Sequence, residues 1–405
     1  MSIETQNGYG ARRDVRLWLT SMKKAAMGGL FLAMAAFLLL AAGPGLVEGR
    51  LNRVHSTVTR VSDRAEELHH QIFIADLHAD TLLWNRDLLE ESDRGHVDVP
   101  RLLKGNVALQ VFSVVTKAPW GINMTRNADT SDLVLPLAIL QRWPRRTWHN
   151  LKERALFQAQ WFATAAAASR GRFVWIKNAA DLRDYLERRR QGTPMTAGLL
   201  AIEGAQALDG DPANLQVLFD AGFRMMSLTH FTDNSFAGSA TGVKKGGLTE
   251  SGRALVKAME SRGMIVDLAH TSPQTVDDVL AIATRPVVVS HTGVSATCAS
   301  NRNLTDDQVG RIAEAGGLIG IAYFQAAVCG ADARAIARAI RHAATVAGVE
   351  HVALGSDFDG ATAAPFDAAG LAAVTDALIS EGFQNDEIAQ IMGGSVERFL
   401  LANLR

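Results

Sequence analysis

His78, Asp80, Glu203, His230, His270, His291, Asp357 and Asp359 each follow a short aliphatic run, and their side chains are those that hydrolytic metal chemistry uses. Neutral imidazole nitrogens and carboxylate oxygens suit zinc or a similar divalent ion, and cysteine is absent from these positions. Taken singly, each histidine reads as a hydrogen-bonded surface or core residue; their shared position changes the reading. In Asp76-Leu77-His78-Ala79-Asp80 alternate residues of an extended chain share a face, so His78 and Asp80 can reach one ion, with Asp76 orienting them. His270 and His291 end apolar runs that would hold both rings rigidly for a second ion. Two ions account for this many donors better than one, and Glu203 is the best candidate to bridge them. A water shared by the pair becomes hydroxide near neutral pH. Against this stands a plainer reading of Glu203, as a carboxylate ion-paired inside the mouth of the fold. Arg302 precedes a helix that Thr305 is expected to cap, and its planar guanidinium suits a carboxylate ligand.

These groups need a frame that brings them to one place. Eight β-branched or aliphatic runs recur: Ile72 to Asp76, Ala108 to Val115, Gly198 to Ile202, Arg224 to Thr229, Met264 to Leu268, Val287 to Ser290, Leu318 to Tyr323 and His351 to Gly355. Longer amphipathic, alanine-rich stretches separate them, as in βα units. Eight such units predict an α/β fold closed into a (β/α)8, TIM-like barrel, whose strand ends converge on one face. The candidate ligands all fall at those ends. More than eighty residues separate Val115 from Gly198, including Trp120, Trp143, Trp148, Trp161 and Arg188-Arg189-Arg190. An elaborated, partly helical excursion is expected there, serving as a lid, an oligomer contact or structural padding.

The chain has 405 residues, 48% hydrophobic and 20% charged, which excludes a disordered or low-complexity protein. Its net charge of -1 gives no global attraction for a polyanion, so nucleic acid is not an expected partner. Residues 25–47 carry one acidic-free, base-free apolar run long enough to span a bilayer. Residues 1–24 form a basic tail with Arg12, Arg13, Arg16, Lys23 and Lys24, so the remainder is expected on the extracytoplasmic side, periplasmic or extracellular. A cleaved signal segment is the rival reading. Residues 48–71 read as a juxtamembrane helix and 72–405 as a single catalytic domain. Cys298 and Cys329 either pair, in an exported domain, or are two unrelated buried thiols.

Asp76-Leu77-His78-Ala79-Asp80, Ile202-Glu203-Gly204, Leu228-Thr229-His230, Asp267-Leu268-Ala269-His270, Ser290-His291 and Asp357-Phe358-Asp359-Gly360 together resemble the membrane dipeptidase (renal dipeptidase, peptidase M19) family. The match runs from about Ile72 to Leu400, with Cys298 and Arg302 at the family's offsets from His291. The resemblance implies a binuclear zinc barrel that hydrolyses the peptide bond of dipeptides through a metal-bridging hydroxide, and a homodimer. By it, His78 and Asp80 bind one zinc, His270 and His291 the other, and Glu203 bridges both. His230 is then the ligand of the scissile carbonyl oxygen, Arg302 that of the terminal carboxylate, and Asp357 the carboxylate that moves protons. It also implies a Cys298–Cys329 disulfide. Ser395 stands where the family usually has asparagine, and Tyr323 to Cys329 offers no secure counterpart of the family's aromatic substrate contact. An alternative on the same barrel is cleavage of an N-acyl amino acid, lactone or β-lactam, and from another class an inactive membrane-tethered binding protein.

Overall fold

The computed structural model describes residues 43–55 and 60–405. Nine parallel strands occur among them: β1 (Ile74–Ala79), β2 (Val107–Val115), β3 (Phe173–Trp175), β4 (Thr196–Glu203), β5 (Phe223–Ser227), β6 (Ile265–Asp267), β7 (Val288–Thr292), β8 (Leu318–Ile321) and β9 (Val352–Leu354). Their order is β2-β1-β9-β8-β7-β6-β5-β4-β3, and β2 also pairs with β4 from Leu109↔Ala197 to Val115↔Glu203. That pairing closes eight strands into the expected barrel. The ninth, β3, was not expected; it lies in the long excursion and pairs only with the start of β4.

Strands covered on both faces must be apolar throughout, and all nine residues of β2 and all eight of β4 are buried. Phe399 and Leu400 of the C-terminal helix Ser395–Asn403, and Leu404 just after it, pack in one cluster with Leu77, Val111 and Leu199 from the strands. Helices start where the sequence supplies caps. Ser272 accepts from Thr275 N ahead of Pro273–Leu280, and Thr305 forms a full capping box with Gln308, as its position predicted.

The helix expected over 48–71 is two helices, over residues 43–51 and Asp63–Gln71. Between them the backbone of Arg53 and His55 bonds Ala364 instead of itself, and Ser62 caps the second helix through Ala65 N at 3.3 Å. The apolar run at 25–47 lies outside the described residues up to residue 42. Among the described residues no helix is long and apolar enough to cross a membrane. Cys298 and Cys329 are joined in a disulfide with their Cα atoms 5.3 Å apart.

The excursion leaves the end of β2. Its helix Val134–Leu140 sits beside the barrel mouth, and Arg154, fully buried, fastens the connection. The Arg154 guanidinium donates to Thr116 O, Thr147 O and Trp148 O at 2.6–2.7 Å and pairs with Asp132 at 2.7 Å. Further along, Met124 O accepts from Asn301 Nδ2 at 3.1 Å and Asn127 N donates to Thr241 O at 2.7 Å. The excursion therefore reaches over the mouth to the loops after β5 and β7.

Candidate active site

Asp76 and Asp267 prepare the strand ends. Asp76 accepts from His78 N at 3.0 Å, Gln110 Nε2 at 2.8 Å and Ser356 N at 2.9 Å, so it ties β1 to β2 and to the turn after β9. It orients, as its place in the motif suggested. Asp267 does the same for β6 and β7, accepting from Ala269 N and Ser290 N, both at 2.9 Å. Ser290 Oγ lies 3.3 Å from His78 Nδ1 and 3.0 Å from His291 Nδ1, fixing the back of both rings. Asp267, Gln110 and Ser290 were not singled out as supports in the sequence. The first could have been, since Asp267-Leu268-Ala269-His270 repeats the pattern of an acid ahead of a ligand on an extended run.

Glu203, at the end of β4, is the point of convergence. Its Oε1 lies 2.9 Å from His270 Nε2, 3.5 Å from His291 Nε2 and 3.6 Å from His78 Nε2; its Oε2 lies 3.4 Å from His230 Nε2. His78 Nε2 is 3.4 Å from Asp80 Oδ1 and 4.0 Å from Asp357 Oδ1, and His270 and His291 approach through their Nε2 atoms at 2.9 Å. Three overlapping groups could hold cations: His78, Glu203 and His291; Glu203, His230 and His270; and His78, Asp80 and Asp357. The sequence-derived set of His78, Asp80, Glu203, His270 and His291 is thus brought together, and His230 and Asp357 adjoin it.

The donors fit a metal pair on their own chemistry. His78 Nε2, Asp80 Oδ1 and Glu203 Oε2 are buried without a hydrogen-bond partner. An unsatisfied buried polar atom costs about 1–3 kcal/mol, more when charged, so such a cluster persists only where something else satisfies it. Burial, with Asp80 adding to it, pushes Glu203 well above the usual carboxylate range; burial, reinforced by Asp359, does the same to Asp80. Burial holds His270 and His291 well below the ordinary imidazole value and His230 down at about 3, so these rings are neutral and keep a lone pair. Unpaired oxygens and neutral nitrogens without sulfur match zinc or a similar divalent ion. His270 is held in place at φ 65° and Asp357 at φ 61°, left-handed backbone that a side chain adopts only when its surroundings impose it.

His230 Nδ1 lies 3.4 Å from Lys117 O. That contact needs the proton on Nδ1; to donate to a carbonyl oxygen arriving beside Glu203, the neutral ring must carry its one proton on Nε2 and give up the long contact with Lys117 O. Asp357, 9% exposed, is pushed by burial up to about 7. Arg302 is 5% exposed, in the field of Asp357, Glu203 and Asp267. Asp359, grouped with Asp357 in the sequence, is not part of this cluster: it accepts from Thr81 Oγ1, Arg86 Nη2 and His96 N at 2.6–2.8 Å. The missed element is Glu48, whose carboxylate joins Arg86 at 2.5 Å and Arg94 at 3.0 Å.

The cavity above Glu203 has a volume of about 640 Å³ and is bounded by Asp80, His230, His270, Arg302 and Asp357 on the polar side. Residues 62–402 match the family model of the membrane dipeptidases, peptidase family M19. A dipeptidase of Aspergillus oryzae, aclJ, is 28% identical over 358 residues, 83% of this chain and 79% of its own length. A metallopeptidase from Rhodobacter sphaeroides, solved with a phosphinate mimic of the dipeptide L-Ala-D-Ala, superposes with a TM-score of 0.66 at 24% identity, covering 82% of this chain and 99% of that one. The probable dipeptidase PvdM from Pseudomonas aeruginosa gives a TM-score of 0.71 at 18% identity, covering 84% and 97%. At these identities the two structures speak for the fold.

Proposed function

The chain belongs to the membrane dipeptidase family, peptidase family M19, and from that premise we propose that it is a zinc-dependent dipeptidase with a two-ion centre. The observation that carries this reading is the approach of three imidazole Nε2 atoms to Glu203 Oε1 while Glu203 Oε2 and Asp80 Oδ1 stay unpartnered. His78 and Asp80 would hold one ion, His270 and His291 the other, with Glu203 between them. Bound there, the ions supply a water acidic enough to attack near neutral pH and polarise the carbonyl.

The chain's own residues do the rest. Arg302 pairs with the free carboxylate of the substrate and so restricts the site to short peptides that end within it. His230, in the tautomer with its proton on Nε2, hydrogen-bonds the carbonyl oxygen as negative charge develops on it and keeps that proton. Asp357 accepts a proton at its carboxylate from the attacking water and returns it to the departing amine. The excursion across the mouth keeps bulk water from the reacting groups.

An anchor formed by the part of the 25–47 run that precedes the helix over residues 43–51, with the catalytic domain on the extracytoplasmic side, belongs to the same reading. Its supports are the basic flank of that run and the Cys298–Cys329 disulfide, which suits an oxidising compartment.

The test is hydrolysis of free and N-blocked dipeptides by the full chain, stripped of metal and then given zinc. Zinc-restored release of amino acids from free dipeptides is expected. Cleavage of N-acyl amino acids with no cleavage of dipeptides would replace this reading with another hydrolase.

A further inference from the structure

The cavity has two chemically different halves. Beyond the polar side named above, its wall is built by Leu83 and Trp84 after β1, Val115 at the end of β2, and Leu133, Leu137 and Leu140 of the excursion. Most of these belong to a small hydrophobic cluster separate from the main core, with Leu83 8% and Trp84 2% exposed. Trp120, 61% exposed, and Ile122, 38% exposed, continue the apolar surface to the rim. Val47 and Leu51 of the first helix complete it, at 41% and 40% exposure.

The strand order gives this wall a direction. Around the closed ring, β2 and β7 are four places apart, on opposite sides of the mouth. Arg302 follows β7, whereas Val115 ends β2 and the excursion follows it. A dipeptide whose carboxylate meets Arg302 and whose carbonyl lies over Glu203 therefore directs its N-terminal residue to the β2 side. Two alanines would leave most of about 640 Å³ unfilled, a volume within the range that encloses drug-sized ligands. An apolar wall that stays wet gains nothing; one covered by an apolar side chain favours the substrate that carries it.

Resting on the dipeptidase reading above, we infer that the β2 wall is a subsite for a bulky apolar side chain on the N-terminal residue of the substrate, with Leu133 and Leu137 as its specificity-determining residues. The C-terminal residue is selected mainly through its carboxylate.

The experiment compares kcat/KM for Ala-Gly, Leu-Gly and Phe-Gly with that for Gly-Ala, Gly-Leu and Gly-Phe, using the zinc-loaded full chain. Phe-Gly and Leu-Gly are expected to exceed Ala-Gly by about tenfold or more, with a smaller spread in the reversed series. Leu137→Asn should lower the Phe-Gly to Ala-Gly ratio about fivefold or more. Trp120→Ala, at the exposed rim, should lower it in the same direction in case the first variant folds poorly. Equal turnover of the three N-terminal residues, a larger spread in the reversed series, or an unchanged ratio in both variants would overturn the subsite while leaving the dipeptidase reading intact. Hydrolysis of none of the six would overturn both.

Discussion

Asp357 and Asp359 leave the same turn after β9, both buried and both in left-handed backbone, at φ 61° and 63°. Their surroundings are opposite. Burial would raise Asp359 too, but Arg86, His96 and the hydrogen bonds from His96 N and Thr81 hold it below the usual carboxylate range. Asp357 has no such set of donors: it lies 4.0 Å from His78 Nε2 and beside Asp80 at the cavity, and burial carries it up to about 7. The difference separates a carboxylate that builds the site from one that faces the cavity, where we propose it works. A buried acid saturated by the chain is structural, and a buried acid left short of partners is kept so for something the chain does not contain.

The comparison can be broken by substitution. Glu203→Gln should have the largest effect, removing both ions together and lowering turnover by roughly 10⁴-fold or more, since the metal contribution is several kcal/mol. Metal analysis beside kinetics checks it, and two retained ions would end the bridging assignment. Asp357→Asn should cost about 10²–10⁴-fold in kcat with little loss of stability. Asp359→Asn should do the reverse in kind, destabilising the fold by about 3–5 kcal/mol in urea titration because Arg86 is left a buried cation with one partner fewer. If the two exchange phenotypes, the division drawn between them is wrong. Arg302→Lys should raise KM about tenfold with metal content unchanged, the lost fork geometry being felt only by the substrate carboxylate.

The smallest effect is in pH. In metal-free protein, Asp357 has a folded pKa near 7 and an unfolded one near 3.8, so the native state binds the extra proton between them. Its contribution to stability therefore grows as pH falls from about 8 to 5 and is absent above. Asp359, lowered in the fold, gives its full and constant share over that window, adds nothing to the slope there, and loses that share only at more acid pH. The difference between parent and Asp357→Asn in the slope of stability against pH isolates the first term, and identical slopes would contradict it.

How legible this was in the sequence follows from the range of each interaction. The eight barrel strands were readable because strands buried on both faces are uniformly apolar, and their C-terminal ends fell beside the histidines and acids now seen together. β3 was not, since Phe173–Trp175 is three residues long and sits among helices. Asp359 was legible as an acid at a strand end among the candidate ligands but not as a saturated structural one, because its partner Arg86 lies 273 residues away and the third member, Glu48, precedes the barrel. The break in the 48–71 helix likewise depends on Ala364, which no local pattern announces. Periodicity reports what a segment does with itself; partners brought in by closure of the ring leave no mark on it.

The excursion after β2 is one contiguous stretch held at its base by Arg154, while the ionisable groups come from nearly every strand of the ring. On the subsite inferred above, reaction and preference lie in separate parts of the chain. On the same inference, an insertion, deletion or exchange between residues 118 and 146 would redraw what the enzyme accepts while the groups assigned to the cleavage keep their places, provided Thr116, Thr147 and Trp148 keep their carbonyls on that arginine and Lys117 its carbonyl beside His230. Divergence among relatives should accordingly concentrate in this one connection, and it is the natural place to graft a new appetite onto the same chemistry.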